Sequence, residues 1–175
     1  LRMLCLIILP YCSHVFSATQ SNKAPNNPIN VQAALIKNFT HLIEWPKNKY
    51  EAKSVFNLCI HHSIKLKRQF ETIFTDKHIK GKQVDILNIS NTNFSGCDLV
   101  YLTPTTTDSI SSVLESTHKL GILTISAQDG YGQLGVHINF YKLGQNMAFE
   151  LNKYALDRGG FQVSTQLYRY ARIIQ

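Results

Sequence analysis

The chain has 175 residues, of which 44% are hydrophobic and 17% are charged, so long disordered, collagen-like and coiled-coil proteins are excluded. This length predicts one compact domain, because a single hydrophobic core of ordinary size accounts for it. The 18 Lys and Arg residues outnumber the 11 Asp and Glu residues and give a formal net charge of +7, which favours acidic or phosphorylated partners without naming one.

Residues 1–18 have the layout of a secretory signal peptide. Arg2 supplies a positive charge, an apolar run follows it, and small residues precede a cleavage site near Ser17 or Ala18. The apolar run is too short to cross a membrane, which takes about 20 residues. We therefore expect export to an oxidising compartment, with no membrane insertion of the mature chain. A lipid anchor on Cys12 is the alternative, although the bulky residue before it disfavours that processing.

A short arm and a long helix follow the leader. Residues 19–27 are polar and predict a flexible arm, so the folded domain is expected to span 28–175. Apolar residues recur at three- and four-residue steps over 29–44, which predicts an amphipathic helix with one buried face. Trp45 and Pro46 end this helix, because proline lacks the N–H that a helix needs.

Strands and helices alternate through the middle of the chain. Short apolar segments bounded by turn residues predict strands over 55–60, 84–89, 97–102 and 122–125. Helices are predicted over 64–74 and from a cap at Thr107 or Asp108 to about Lys119. This alternation is typical of parallel βαβ units.

The last third predicts an antiparallel hairpin and two short helices. Alternating segments over 136–140 and 147–151 flank a turn, and Asn152 caps a helix that ends at Gly159. Ser164 caps a final helix, whose apolar face is formed by Leu167, Tyr168, Ala171 and Ile174. The predicted fold class is α/β: a single domain with a mixed sheet of about six strands, parallel βαβ units, a C-terminal antiparallel hairpin and flanking helices.

Four cysteines are present, and cleavage of the leader would remove Cys5 and Cys12. The remaining pair, Cys59 and Cys97, is even in number, and in an oxidising compartment it predicts a disulfide. A loop of this length gives about 4 kcal/mol of stabilisation in the chain-entropy model. Two buried free thiols are the alternative. A zinc site is disfavoured, because two cysteines this far apart lack the close spacing of a zinc knuckle.

Two motifs that could mark a ligand site have simpler structural explanations. Gly130, Gly132 and Gly135 have the spacing of the dinucleotide fingerprint, but a strand follows where that fingerprint needs a helix, so a turn is predicted. His61 and His62 end a strand, where parallel sheets place ligands, yet adjacent side chains point to opposite faces and do not easily share one metal. Structural or solvated roles, without a metal, are predicted for both histidines.

No arrangement of residues supports catalysis. The chain has no Gly-x-Ser-x-Gly elbow, no serine or cysteine with a recognisable activating base, and only scattered carboxylates. We therefore predict a protein that is not an enzyme and that has no cofactor.

One stretch of the sequence is strongly basic, with Lys65, Lys67, Arg68, Lys77, Lys80 and Lys82. A solvated face is the default interpretation, and attraction of an acidic partner or a phosphorylated ligand is the alternative. Nucleic acid binding is disfavoured by export and by the lack of an aromatic platform beside the charges.

Several segments of the chain together match the sequence pattern of one known family. The matching segments are the first helix over 31–46 with its Asn-Phe and Trp-Pro pairs, the two cysteine-bearing strands over 56–60 and 97–102, and the late strand over 138–140. The segments over 149–152 and 163–173 are similar to the ending Phe-Glu-Ile-Asn and Ser-x-Gln-Leu-Leu-x-Leu-Ala-Arg of the YfiR-like family of periplasmic proteins, which the chain as a whole resembles. Tyr168 and Tyr170 stand where leucines are usual.

The resemblance implies a small periplasmic α/β protein that binds the periplasmic part of an inner-membrane diguanylate cyclase and represses it. Cyclic-di-GMP signalling and biofilm formation fall as a result. Cys59 and Cys97 occupy the positions of a family disulfide that links the repressor to redox conditions. A homodimer is a further expectation, and the residues that would contact the cyclase stay unknown.

Two alternatives from other functional classes stay open. The first is a periplasmic small-ligand-binding protein without a cyclase partner, whose pocket lies outside the strand ends near His61, His62 and residues 103–106. The second is an exported hydrolase.

Overall fold

The computed structural model describes residues 27–46, 53–104 and 107–175, so the predicted leader and nearly all of the predicted arm lie outside the described residues. The helices in these ranges are α1 (Pro28–Leu42), α2 (Ile64–Phe74), α3 (Thr107–Lys119), α4 (Lys153–Arg158) and α5 (Thr165–Tyr168). The strands are β1 (Ile43–Glu44), β2 (Val55–His61), β3 (His78–Ile79), β4 (Lys82–Ile89), β5 (Leu99–Leu102), β6 (Leu123–Ser126), β7 (Ile138–Leu143), β8 (Asn146–Asn152), β9 (Gln162–Val163) and β10 (Arg172–Ile174). No helix in the described part of the chain is long and apolar enough to cross a membrane.

The main sheet has eight strands in the order β10, β8, β7, β6, β5, β2, β4, β3. Its central pairs are parallel, from β4 through β2, β5 and β6 to β7, whereas β7 and β8 form the predicted antiparallel hairpin. Helix α2 connects β2 to β4, and α3 connects β5 to β6. The predicted α/β class, mixed sheet and parallel βαβ units are therefore confirmed.

Both faces of the sheet are covered, because side chains alternate between the two faces along each strand. Phe56, Leu58 and Ile60 of β2 pack into the core formed with α1 and α2. Cys59 and Val100 lie on the opposite face and pack into the core formed with α3. Strands β5 and β6 are buried along their whole length, as expected for central strands of a parallel sheet.

Helix α1 is bounded by local hydrogen bonds. The Asn27 side chain accepts a hydrogen bond from the N–H of Ile29 at 3.0 Å and caps the first turn. The helix ends at Leu42, two residues earlier than predicted, because the next two residues are extended and pair as β1 with β9. The N–H of Ser164 donates to the carbonyl of Leu42 at 2.9 Å. This second, two-stranded sheet fastens the end of α1 to the C-terminal part of the chain.

The prediction of a final helix is wrong beyond Tyr168. Ser164 caps a helix as predicted, by accepting a hydrogen bond from the N–H of Gln166 at 3.2 Å. That helix is α5, and it ends at Tyr168, after which the chain forms β10. β10 pairs in parallel with Glu150–Asn152 of β8, so tertiary pairing overrides the helical spacing of the apolar residues.

Two strands that the sequence did not predict raise the number of strands in the main sheet from about six to eight. One is β10, and the other is β3. β3 is joined to β4 by a two-residue turn at Lys80 and Gly81, whose φ angles are 49° and 77°. Two positive φ angles suit the tight turn of an antiparallel hairpin, which pairs β3 with the start of β4.

Arg172 holds β10 against the sheet. Its guanidinium is bonded to the carboxylate of Glu150, with Nε 3.0 Å from Oε2, and lies 4.2 Å from the centre of the Tyr141 ring. Glu150 is only 1% exposed and also accepts a hydrogen bond from the Asn139 amide at 3.2 Å. The ion pair therefore compensates a carboxylate whose burial alone would be costly.

Replacing Arg172 with Met should lower the free energy of unfolding by about 1–3 kcal/mol, because the Glu150 carboxylate would stay buried without its cation. We expect a smaller loss of stability than for a fully buried ion pair, because the Arg172 side chain is 52% exposed. Urea denaturation followed by circular dichroism measures the change. Lys153→Met removes an exposed ion pair with Asp157 and is the control, expected to cost less than about 0.5 kcal/mol. Equal effects of the two substitutions would contradict the role of Arg172.

Candidate functional site

Cys59 and Cys97 meet on the face of the sheet that α3 covers. Cys59 lies within β2, and Cys97 lies in the loop just before β5, and both are buried. A disulfide joins them, with an S–S distance of 1.94 Å and a Cα–Cα distance of 5.9 Å. The bond spans 38 positions of the sequence and ties the loop that precedes β5 to the neighbouring strand.

Asp98 adds polar contacts directly beside the disulfide. Its N–H donates to the carbonyl of Asn57 at 2.9 Å, and its Oδ2 accepts from the N–H of Asn57 at 2.8 Å. The ammonium of Lys53 lies 2.9 Å from Oδ1, and the indole of Trp45 donates to the Asp98 carbonyl at 3.0 Å. Asp98 thus connects three parts of the chain: Trp45 just after β1, Lys53 just before β2, and Asn57 within β2.

A small cavity of about 290 Å³ opens beside the disulfide and the Asp98 contacts. Its lining brings together the Trp45 indole, the Lys53 ammonium, Phe94 and Cys97. The volume lies at the lower limit of cavities that hold small ligands, and the polar groups named above already bond to one another. The residues around this cavity therefore suit a structural role, in which they hold the loop before β5 against β2.

Replacing both Cys59 and Cys97 with Ser should lower the free energy of unfolding by about 2–5 kcal/mol, because the unfolded chain regains the entropy of an open loop. Thermal unfolding of the two proteins without reductant measures the difference. Dithiothreitol should shift the wild-type curve toward that of the double variant and leave the variant's own curve in place. Superimposable curves for the oxidised wild type and the double variant would contradict this expectation.

His61 and His62 lie where the order of the parallel strands reverses, at the carboxyl ends of β2 and β5. His61 is buried, and His62 is exposed with a φ of 56°. This left-handed backbone brings the two rings within 4.1 Å, edge to face, so the expectation that they point to opposite faces is wrong. The Thr103 hydroxyl donates to the His61 carbonyl at 2.5 Å, whereas residues 105 and 106 lie outside the described part.

The His61 ring is held neutral. Burial, followed by the charge of His62, lowers the pKa of His61 to about 4. Its Nδ1 is buried and has no hydrogen-bond partner among the described residues. His61 is therefore a buried, neutral residue at the strand ends, and its Nδ1 atom is not used by any hydrogen bond among the described residues.

A second histidine pair, His118 and His137, was missed by sequence analysis. Their ring centres are 4.7 Å apart, and His118 lies near the end of α3 whereas His137 directly precedes β7, so no fixed spacing along the chain could reveal them. The N–H of Thr124 donates to Nδ1 of His137 at 3.0 Å. The neutral His137 ring therefore carries its proton on Nε2, which is buried and has no hydrogen-bond partner among the described residues.

Burial keeps this pair uncharged. It is the main cause that lowers the pKa of His137 to about 3, and the neighbouring His118 contributes in the same direction. The pKa of His118 is also lowered, chiefly by burial and further by Arg158, although a hydrogen bond to the Gly135 backbone opposes the shift. A cavity of about 770 Å³ opens on His118, with Lys119, Tyr154 and Arg158 in its lining.

Stability should fall as the pH is lowered from 6.5 toward about 4, because the unfolded chain then binds protons that the buried histidines do not. Each such histidine adds a slope of about 1.4 kcal/mol per pH unit. Urea denaturation at several pH values measures the total slope. His137→Asn keeps an acceptor for the Thr124 N–H but removes a titrating ring. The slope of the free energy of unfolding against pH should therefore fall by about 1.4 kcal/mol per pH unit, which corresponds to one proton. His78→Asn, at an exposed position, is the control, and equal slopes in the two variants would contradict the assignment.

The glycine-rich segment forms a turn that leads into β7, as predicted. A Cβ atom on Gly132 would lie 2.2 Å from Oε1 of Glu150 and 2.7 Å from Cδ1 of Ile174, so a larger residue there would have to displace the buried Glu150 carboxylate. The carbonyl of Gly132 accepts a hydrogen bond from the Asn152 amide at 2.9 Å. The fingerprint-like spacing thus reflects close packing of this turn on β8 and β10.

The basic stretch lies on α2 and around the hairpin of β3 and β4. Two of its cations are in ion pairs, Lys67 with Glu71 and Lys80 with Glu44. Three others are exposed, namely Lys65, Arg68 and Lys77. This distribution fits the solvated-face interpretation. Within the described ranges, no group of three or more His, Cys, Asp or Glu side chains is arranged to hold a metal ion.

Comparison with known proteins identifies the family and the fold. The YfiR/HmsC-like family model matches residues 29–172, and no curated protein matches the chain in sequence. A conserved domain protein from Vibrio cholerae O1 biovar El Tor has a similar structure, with a TM-score of 0.60 and 9% identity. The ABC domain in complex with L-Trp from Streptococcus pneumoniae has a TM-score of 0.58 and 13% identity. Each similarity covers 85% of this chain, which spans only 60% and 62% of those two chains, and at these identities it concerns the fold alone.

Proposed function

The chain belongs to the YfiR/HmsC-like family, and on that basis we propose that it is a periplasmic regulator that binds the periplasmic part of an inner-membrane diguanylate cyclase and represses it. The observation that carries this proposal is the extent of the family match, which runs from the first turn of α1 to the start of β10. Repression by contact lowers the cyclic-di-GMP level of the cell without any reaction on this protein.

The cysteine pair supports the proposed location. A disulfide between Cys59 and Cys97 is stable in an oxidising compartment such as the bacterial periplasm, and both sulfurs lie in the core. The bond and the Asp98 contacts fix one loop and two central strands relative to each other, and we infer that they support the surface that the cyclase contacts. A rigid surface binds a partner at a lower entropic cost than a mobile one.

The proposal is tested by deleting the gene and measuring intracellular cyclic-di-GMP. We expect a rise in the deletion strain and a return to the parental level when the full chain is supplied on a plasmid. Expression of residues 19–175 without the leader is the matched control, which should not restore the level because the cyclase contact lies outside the cytoplasm. Affinity capture of the exported protein after crosslinking should yield a membrane diguanylate cyclase.

Two results together would refute the cyclase proposal. They are an unchanged cyclic-di-GMP level in the deletion strain and the absence of any diguanylate cyclase from the crosslinked material. Restoration by the leaderless chain would refute the periplasmic site of action while leaving a regulatory role.

A second candidate function is binding of a small ligand at the strand ends. It is supported by the unused Nδ1 of His61 at the point where the strand order reverses, which is where open α/β sheets bind ligands. The fold is also similar to a domain that is in complex with L-Trp. A panel of free amino acids should then raise the melting temperature by mass action, and Thr103→Val should reduce that rise. If no amino acid raises the melting temperature, the proposal of a ligand site at the strand ends is contradicted.

A further inference from the structure

The cavity of about 770 Å³ beside His118 is lined by side chains of α3 and α4. Glu115 precedes His118 by three residues and Lys119 by four, so these three side chains share one face of α3. Tyr154 and Arg158 are four residues apart on α4 and share a face in the same way. The volume is within the range of roughly 300–1,000 Å³ that is typical of small-molecule sites.

The charges of this lining leave one cation without a carboxylate. Glu115 is the one acidic side chain among the described residues that line the cavity, and it is paired with Lys119 at 2.7 Å. Both partners are well exposed, so this ion pair is weak, and an ammonium group has further donors for a second acceptor. Arg158 forms no ion pair with any described residue and lies 5.4 Å from the centre of the Tyr154 ring. The lining is therefore suited to one bound anion.

The surroundings of His118 agree with this electrostatic character. Burial is the main cause that lowers the pKa of His118, and the nearby charge of Arg158 lowers it further. The ring also faces His137 and the backbone of Gly135, neither of which supplies a negative charge. An anion beside Arg158 would consequently meet positive and neutral groups on this side of the cavity.

The end of α3 does not direct open carbonyl groups at an anion. The carbonyls of residues 116–118 accept hydrogen bonds from the N–H groups of residues 120–122. These bonds reduce the negative field that an uncapped helix end would produce.

The same lining contains exposed apolar surface. The Tyr154 side chain is 61% exposed and Leu134 is 49% exposed, although both are large. Planar rings stack on an exposed tyrosine, and aliphatic side chains pack against them. A ligand that carries a ring next to its anionic group would therefore contact both kinds of surface.

We propose that this cavity binds a phosphate monoester that carries a planar ring, as in a nucleoside monophosphate. The phosphate accepts hydrogen bonds from the Arg158 guanidinium and the Lys119 ammonium, and the ring packs on Tyr154 and Leu134. A phosphate monoester offers three terminal oxygens to two cations, whereas a carboxylate offers only two oxygens. None of these residues belongs to the strand-end site near His61, so the two sites are distinct.

Isothermal titration calorimetry of the exported protein with AMP, ribose 5-phosphate and adenosine separates the two parts of the ligand. We expect AMP to bind most tightly, because it carries both the phosphate and the ring. Ribose 5-phosphate should bind at least about fivefold more weakly, and adenosine should show no measurable binding. An absence of AMP binding, or binding of adenosine as tightly as AMP, would overturn the proposal.

Two substitutions with opposite expected effects locate the phosphate. Arg158→Gln should raise the AMP dissociation constant about tenfold or more, because it removes the unpaired cation. Glu115→Gln should lower that constant about threefold, because it removes the carboxylate that repels the phosphate. Arg169→Gln is the matched control, since Arg169 is exposed and lies outside the lining. An unchanged affinity of Arg158→Gln, or an equal loss in Arg169→Gln, would overturn the proposal.

Tyr154→Ala tests recognition of the ring. The AMP dissociation constant should rise about fivefold or more, whereas that of ribose 5-phosphate should change less than about twofold. Equal effects on the two ligands would contradict packing of the ring on Tyr154. Circular dichroism of each variant confirms that it remains folded, and every one of these outcomes is independent of cyclase binding.

Discussion

The attachment of β5 to β2 is the constraint on which the rest of the fold depends. The Cys59–Cys97 bond and the paired hydrogen bonds between Asn57 and Asp98 act within a few residues of each other. They set the register in which Leu58 lies opposite Leu99. A shift of one residue would turn every β5 side chain to the wrong face, and would move Leu99 and Tyr101 out of the core with α1 and α2.

The two layers around the sheet differ in polarity. The layer with α1 and α2 is built from aromatic and aliphatic side chains such as Phe39, Phe56 and Phe140. The opposite face carries several buried polar groups near β6, β7 and β8, including Thr124, His137 and Glu150. These groups are held by specific partners, such as the Thr124 N–H and the Arg172 guanidinium. One layer therefore contributes mainly hydrophobic stability, whereas the other is sensitive to how its polar groups are paired.

Patterns within single segments predicted most of the fold, whereas contacts between distant segments were not predictable. The apolar periodicity of α1, the strand over β2 and the hairpin of β7 and β8 depend on local spacing, and each is present in the structure. β10 has helical spacing of its apolar residues but is fixed by pairing with β8 and by Arg172 on Glu150. The predicted caps at Thr107 or Asp108 lie outside the described side chains.

The residues of the candidate site were likewise predictable where the signal lies in the sequence itself, and not where it depends on contacts between distant segments. Cys59 and Cys97 were identified because the count of cysteines and the predicted compartment are properties of the sequence. The contact between His118 and His137 depends on the docking of α3 beside β7, which no local pattern encodes. The closeness of His61 and His62 depends on the left-handed backbone of His62, and a positive φ is uncommon for any residue other than glycine, so the sequence alone does not predict it.

The small sheet of β1 and β9 has a consequence for the order of folding. It pairs Ile43 with Val163, so the end of the first helix is fastened by residues that lie far along the chain. Contacts this distant in sequence form late, because a long loop must close before they are gained. The clasp therefore closes only after the intervening sheet has brought β1 and β9 together, so it reports on completion of the fold and does not start it.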